Sequence, residues 1–310
     1  MRADAPAPVI CLAGATGTGK TALAVALAKK LDGEIINADS RQVYADFPIV
    51  TAQPDESEKA GIPHYLFGFL PSGEKISAGK WLEFVAPVLQ DLVARGKTPV
   101  FVGGTGFYFQ ALLRGLAAIP RPSPEAVAKI AALADGGGLP ALRARLMEID
   151  GQYAEKVHPN DKNRLIRALE VYEATGKTFS WWHRNSPGRP MATGRLFVLR
   201  LPMPELERRL YNRVDQMLAR GALLEAEEAW RRCPDESAPA WTGIGPREIA
   251  DYRAGRVDLA TCVARWRANT RAYARRQATW FRGRSESVWI DAGYPEKLLD
   301  SSFLSPFLSG

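Results

Sequence analysis

The run Gly14-Ala15-Thr16-Gly17-Thr18-Gly19-Lys20-Thr21 constrains this chain more than any other feature. It has the full spacing of a phosphate-cradling loop: a glycine, four residues, then Gly-Lys-Thr. An apolar run at 9–13 leads into it and a helix-forming run from Lys20 follows. Glycines let the backbone wrap closely round an anion, with successive N–H groups pointing inward. The start of the helix adds its positive end. Gly14, Ala15, Gly17, Thr18, Gly19, Lys20 and Thr21 are therefore expected to bind a donor's phosphates. Lys20 would reach the terminal phosphate, and Thr21 would hold Mg²⁺.

A strand that enters such a loop belongs to a sheet covered on both faces. The pattern agrees: strands at 9–13, 34–38 and 98–102 alternate with helices at 20–31 and 79–95. Gly33 reads as the end of the first helix and Gly96 as the C-cap of the second. Composition changes at Pro120-Arg121-Pro122-Ser123-Pro124, and the pattern is helical from there to Pro190. Asn160 reads as an N-cap within that stretch. Gly136–Gly138 interrupt it, as a hinge or a plain loop. A strand at 195–201, helical stretches at 204–231 and 259–280 and a strand at 287–290 complete the chain. The expected fold is α/β with a mostly parallel sheet, residues 1–120 and 191–310 forming the core. Residues 121–190 form an inserted all-helical domain.

Ligands of open α/β sheets bind beyond the carboxyl ends of the strands. The phosphate loop, Asp39-Ser40 and Gly103-Gly104-Thr105-Gly106 all leave strands there. Asp39 should thus face the phosphate site, either holding Mg²⁺ through water or accepting a proton. Gln42 has the amide geometry to read an adenine edge. Arg209 and Arg213 share one flank of an amphipathic helix, from which Arg213 can lean toward a phosphate.

Charge is concentrated rather than spread. Lys+Arg 41 against Asp+Glu 34 gives +7. Arg265, Arg267, Arg271, Arg275, Arg276, Arg282 and Arg284 supply that excess within a segment free of acids. Such a segment suits a polyanion. Arg267, Arg271 and Arg275 recur every four residues and would meet successive phosphates, while Trp266, Tyr273 and Trp280 anchor the helix. The three cysteines, Cys11, Cys233 and Cys262, form neither a zinc pattern nor a disulfide framework. No stretch is long enough to span a bilayer, and residues 1–8 carry no leader-like apolar block. A reducing, cytoplasmic setting is expected.

Six runs together resemble the tRNA dimethylallyltransferase family, bacterial type: GATGTGKTAL (14–23), NADSRQVY (37–44), GGTGFY (103–108), HPNDKNRLIRALEVYEATGK (158–177), RRLYNRVDQML (208–218) and NTRAYARRQATWFR (269–282). The loop alone is shared by many families, whereas the Asn-Asp-Lys-Asn-Arg and Arg-Arg-Gln-Ala-Thr-Trp-Phe-Arg runs are specific. The resemblance implies a P-loop NTPase-like core. It implies transfer of a dimethylallyl group from dimethylallyl diphosphate to N6 of adenosine 37, beside the anticodon, with Mg²⁺ as helper. Its general base matches Asp39, its loop threonine Thr16 and its diphosphate-binding arginine Arg213. The tRNA anticodon stem-loop would meet Ser40, Gln42, Gly104, Thr105, Asn160, Arg164, Arg167, Arg271, Arg275 and Gln277, and the enzyme would work as a monomer. Two spots depart from the family's pattern: Gly245-Pro246-Arg247-Glu248 stands for Gly-Tyr-Lys-Glu, and Pro63-His64 for a His-His pair.

Two other readings compete, the first of which fits the first hundred residues. An ATP-dependent small-molecule kinase would use the same loop, with Asp39 activating a hydroxyl, but leaves the helical insert and the basic helix unexplained. A nucleotide-gated binding protein would need a switch segment that the sequence does not offer.

Overall fold

The computed structural model describes residues 6–293 and 298–300. Residues 1–5, part of the start read for a leader, lie outside the described residues. The elements run β1 (Ala7–Gly14), α1 (Lys20–Lys30), β2 (Gly33–Asn37), α2 (Glu56–Lys59), β3 (His64–Tyr65), α3 (Ala78–Ala94), β4 (Thr98–Gly103), α4 (Gly106–Arg114), α5 (Pro124–Lys156), α6 (Lys162–Thr175), α7 (Phe179–Asn185), β5 (Ala192–Arg200), α8 (Met203–Ala219), α9 (Ala222–Arg232), α10 (Pro246–Arg253), α11 (Leu259–Arg282) and β6 (Ser287–Asp291).

The strands form one parallel sheet in the order β3-β2-β4-β1-β5-β6. Its central strands are apolar because both faces are covered. Ile10, Leu12, Ile35, Val100, Val102 and Phe197 pack with Leu23, Ala24 and Leu27 of α1 in one core cluster. The polar residues on β2 are Asn37 at its end and Glu34, only 6% exposed. Arg95 grips both its oxygens, at 2.7 and 2.8 Å, and Tyr65 of the edge strand donates to it at 2.7 Å. That pairing makes the buried charge tolerable. It holds the Glu34 carboxyl below its ordinary range.

The chain divides into two compact units. One comprises the described residues up to Leu113 and from Met191 onward, and the other is Arg114–Pro190. The elements lying wholly within the second unit are α5, α6 and α7. Ile130, Leu142, Leu146, Leu165 and Leu169 form a core cluster of its own.

Local chemistry moved several expected boundaries. Asp32, at φ 48°, turns the chain after α1, and Gly33 opens β2 instead of ending the helix. The helical stretch at 204–231 breaks at Gly221, φ 96°, into α8 and α9. Asp161 accepts the Arg164 N–H and caps α6, so Asn160 is not the cap. The interruption at 136–138 is a kink within α5, where Gly138 leaves helical geometry two residues before Pro140. Among the described residues, no helix is long and apolar enough to cross a membrane.

Candidate active site

The phosphate loop is the turn between β1 and α1. Gly17 has φ 83°, and a Cβ there would come within 2.8 Å of the Leu210 side chain. Glycine therefore lets the loop lie against α8. No side chain caps α1, whose N-cap is Gly19, so its first N–H groups stay available to an anion. Lys20 donates to the Ala15 carbonyl at 2.8 Å. Burial pushes its ammonium down to about 8; Asp39 opposes that shift and Arg213 adds to it.

Asp39 follows β2, at the carboxyl end of the sheet. Its N–H donates to Asn37 Oδ1 at 2.8 Å, and its Oδ1 accepts the Arg41 N–H at 2.9 Å. Asn37 thus fixes the backbone of Asp39, and Arg41 fixes its side chain. Gly104 leaves room for it: a Cβ there would stand 3.1 Å from Asp39 Oδ2 and 2.1 Å from Gln277 Nε2. Arg213, on α8, donates to Thr16 Oγ1 at 3.5 Å. Burial lowers the Arg213 pKa, against the pull of Glu58 and Asp39, yet a guanidinium remains charged at any working pH.

Two cavities meet here. The first, about 480 Å³, is walled by Gly17, Gly19, Lys20 and Thr21 on one side and by Arg209 and Arg220 on another. The second, about 260 Å³, is walled by Val50, Leu210, Trp266, Tyr273 and Arg276 among others. Thr16, Asp39, Thr51, Arg213 and Met217 line both. One cavity is rich in anion-binding groups and the other pairs aromatic and aliphatic walls with polar ones. A carboxylate and a guanidinium stand where they join.

The structure brings together Thr16, Lys20, Thr21, Asp39 and Arg213 as expected from sequence. Gly14, Ala15 and Thr18 are not on the walls of the first cavity; Thr18 is 2% exposed and donates to the Ala15 carbonyl at 2.8 Å. Gln42 lines the first cavity and not the second, and its amide N–H groups donate to the carbonyls of Thr51 and Ala52, at 3.1 and 2.6 Å, bracing that loop. Gln277 is 5% exposed, accepts the Thr16 N–H at 2.9 Å and donates to the Gly104 carbonyl at 2.9 Å. It staples the phosphate loop to the loop after β4. Thr105 Oγ1 accepts the Ser40 N–H at 2.9 Å and donates to Ser40 Oγ at 3.2 Å.

The arginine row on α11 is partly committed within the protein. Arg267 pairs with Asp215, and Arg271 with Glu207 at 2.7 Å. Arg275 is exposed. The residues of α11 that reach the second cavity are Trp266, Thr270, Tyr273 and Arg276, the last lying 5.7 Å over the Tyr273 ring. Arg275, expected in the row, does not line that cavity, whereas its neighbour Arg276, also exposed, does. The helical spacing 266, 270, 273, 276–277 marks the inward face and favours the second arginine of that doublet. Arg41, Thr51 and Met217 were also missed, and no spacing rule marks them.

In the other unit, Asn160 is exposed and its N–H meets His158 Nδ1 at 3.2 Å. Arg164 lies 3.2 Å from Asp161, and Arg167 donates to the Pro120 carbonyl at 3.3 Å. At the first family departure, Pro246 opens α10 and Glu248 accepts the Gly245 N–H at 2.6 Å. At the second, His64 Nδ1 bonds the Ile62 carbonyl at 2.8 Å.

A model of the IPP transferase family matches residues 42–284, and one described as isopentenyl transferase matches residues 7–67. The chain belongs to the IPP transferase family. A protein of Desulfovibrio desulfuricans named tRNA dimethylallyltransferase is 52% identical over 283 residues, covering 91% of this chain and 88% of its own length. One so named from Nitratidesulfovibrio vulgaris is 46% identical over 300 residues, covering 92% and 89%. Among solved structures, a full-length tRNA isopentenylpyrophosphate transferase from Bacillus halodurans superposes with TM-score 0.70 at 30% identity, covering 96% of each chain. A eukaryotic dimethylallyltransferase acting on tRNA superposes with TM-score 0.78 at 30% identity, covering 92% of this chain and 74% of that one. As an IPP transferase, this chain is a prenyl-transferring enzyme with a P-loop core, and the kinase reading falls away.

Proposed function

We propose that this enzyme transfers a dimethylallyl group from dimethylallyl diphosphate to N6 of adenosine 37 in the anticodon stem-loop of tRNA. The observation that carries this is the shared wall: Asp39, Thr16 and Arg213 line both cavities. The diphosphate lies in the first cavity and the target base in the second, so the reacting atoms meet between Asp39 and Arg213.

An exocyclic adenine amine is a weak nucleophile, because its lone pair is delocalised into the ring. As N6 bonds the allylic carbon, the carbon–oxygen bond to diphosphate breaks and the nitrogen becomes positive. Asp39 takes its proton. Negative charge grows on the departing diphosphate, where Lys20, Arg213 and the N–H groups at the start of α1 are preorganised to meet it. Water must be kept out, or hydrolysis of the donor competes. The target base must leave its stack to reach the cavity, which costs least for an unpaired loop nucleotide.

Among the described residues, no three His, Cys, Asp or Glu side chains cluster to hold a metal by themselves. The residues present fit a Mg²⁺ that arrives with the diphosphate, with the Thr21 hydroxyl as its protein contact. Such an ion would neutralise charge on the leaving group. Arg275, Arg276 and the insert's Arg164 and Arg167 are proposed to hold the stem-loop through phosphate contacts. The enzyme works in the cytoplasm, where tRNA is, and as a monomer, since one chain lines both cavities.

The test is incubation with an unmodified stem-loop, Mg²⁺ and labelled dimethylallyl diphosphate, then with labelled ATP. Label from the first donor in the RNA is expected. Label passing only from ATP to a small molecule would overturn the assignment.

A further inference from the structure

Between the two cavities runs the segment from Phe47 to Gln53. Ile49 lines the first cavity, Val50 the second and Thr51 both. The segment is a tight turn held by its own backbone: Thr51 N–H donates to the Phe47 carbonyl at 3.1 Å, Ala52 N–H to Ile49 at 2.9 Å and Gln53 N–H to Pro48 at 2.8 Å. Ala52 has φ 52°, an unfavourable angle for a residue with a Cβ. The N–H groups of Ile49 and Val50, at the start of the turn, point away from it. Both are taken up by one side chain from a distant element. Glu225, in the first turn of α9, accepts Ile49 N–H on Oε1 at 2.5 Å and Val50 N–H on Oε2 at 2.9 Å.

We propose that Glu225 is a positioning residue for prenyl transfer, its carboxylate acting as a clamp on the backbone that forms the wall between the donor and acceptor cavities. This rests on the reading of those cavities given above. The clamp resembles a helix N-cap supplied from outside, one carboxylate satisfying two orphan donors. It needs both oxygens as acceptors, and so it needs the ionised form. A protonated carboxyl would turn an O–H toward one of the two N–H groups and lose that bond.

The groups around Glu225 set when this happens. Burial pushes its carboxyl up to about 6, against the two N–H donors and Arg220 at the end of α8, while Glu228 of its own helix adds to the rise. Arg220 is shared with Asp55, at 3.1 Å. Because the clamped carboxyl titrates above an exposed one, protonation near pH 6 favours the buried carboxyl over a released one: acidification weakens one of the two bonds but does not by itself open the clamp.

Two measurements test this. The first needs no substrate: amide exchange of the 47–53 segment at pH 8, corrected for intrinsic rate, in the wild-type protein, in Glu225→Gln and in Glu225→Asp. Ile49 and Val50 should be protected in the wild type and about tenfold or more less protected in Glu225→Gln. Exchange of these two amides in the wild type at their intrinsic rates overturns the clamp, whether or not the variants fold. The second is the transfer assay. Glu225→Gln should raise KM for both donor and RNA with a smaller change in turnover, and Glu225→Asp should restore part of that loss. Unchanged KM for both substrates in Glu225→Gln would remove Glu225 from the transfer site. Failure of the wild type to transfer the prenyl group would instead sink the functional reading, with the exchange result standing apart from it.

Discussion

Asp39 is held by its own neighbours before any substrate arrives, since Asn37 and Arg41 fix it through backbone bonds at 2.8 and 2.9 Å. Replacing it should remove a proton acceptor and the one bond its Oδ1 takes from the Arg41 N–H. Asp39→Ala is expected to slow single-turnover transfer by ~10²–10⁴ and to leave RNA affinity within several-fold. Lost RNA binding with intact chemistry would show the carboxylate to be a contact and not a base. Gly104 tests the packing behind it. In Gly104→Ala the new Cβ meets Gln277 Nε2 at 2.1 Å, so the amide must move and release either Thr16 or the Gly104 carbonyl. Turnover should fall at least about tenfold, a cost of roughly 1.4 kcal/mol in the barrier, with a smaller change in donor KM. A variant of normal turnover would show that the staple is dispensable. Lys20 was legible from its fixed place in a glycine loop, Asp39 from its place after a strand at the carboxyl edge of the sheet, and Arg213 from the flank of an amphipathic helix. Gln42 and Gln277 were not, because an amide's role depends on which backbone it faces. The carbonyl partner of Gln277 lies 173 positions away.

At the scale of elements, α11 shows where spacing informs and where it misleads. A four-residue repeat of arginine identifies one face, and the face is real. The acids that occupy it, Asp215 and Glu207, come from α8 and are invisible in the helix's own sequence. Arg276 belongs instead to the side that carries Tyr273 and Trp266, where it reaches the second cavity. Arg276→Ala should weaken stem-loop binding and reduce the slope of log affinity against log salt by about 1, one phosphate contact. Arg271→Ala should change that slope less, since its guanidinium is already paired. Titrations from low to moderate salt decide this, and equal slopes for both variants would return the whole row to the RNA. Strand order was legible only as a class. Alternating elements announce a parallel sheet, but the placement of β1 between β4 and β5 depends on long-range pairing that no local pattern encodes.

The whole molecule poses the question of what the second unit adds. The core chain leaves and re-enters at one place: Met191 N–H donates to the Leu112 carbonyl at 3.0 Å. Within the second unit the two connecting stretches also run together, Ala118 N–H donating to the Ser186 carbonyl at 3.1 Å. An insertion whose ends touch can be removed without opening the sheet, because β1 and β5 pair along their whole length independently of it. Replacing residues 116–188 with a short flexible linker should leave the α/β core folded, with a far-ultraviolet spectrum less helical than the parent's. The shortened protein should bind dimethylallyl diphosphate within several-fold of the full chain, since the walls of the first cavity all come from the first unit. Stem-loop affinity should drop by at least about tenfold, as expected for losing several phosphate contacts. Retained RNA affinity would assign recognition to the core alone. Lost donor binding in a protein that still folds would mean the insert shapes the phosphate site as well.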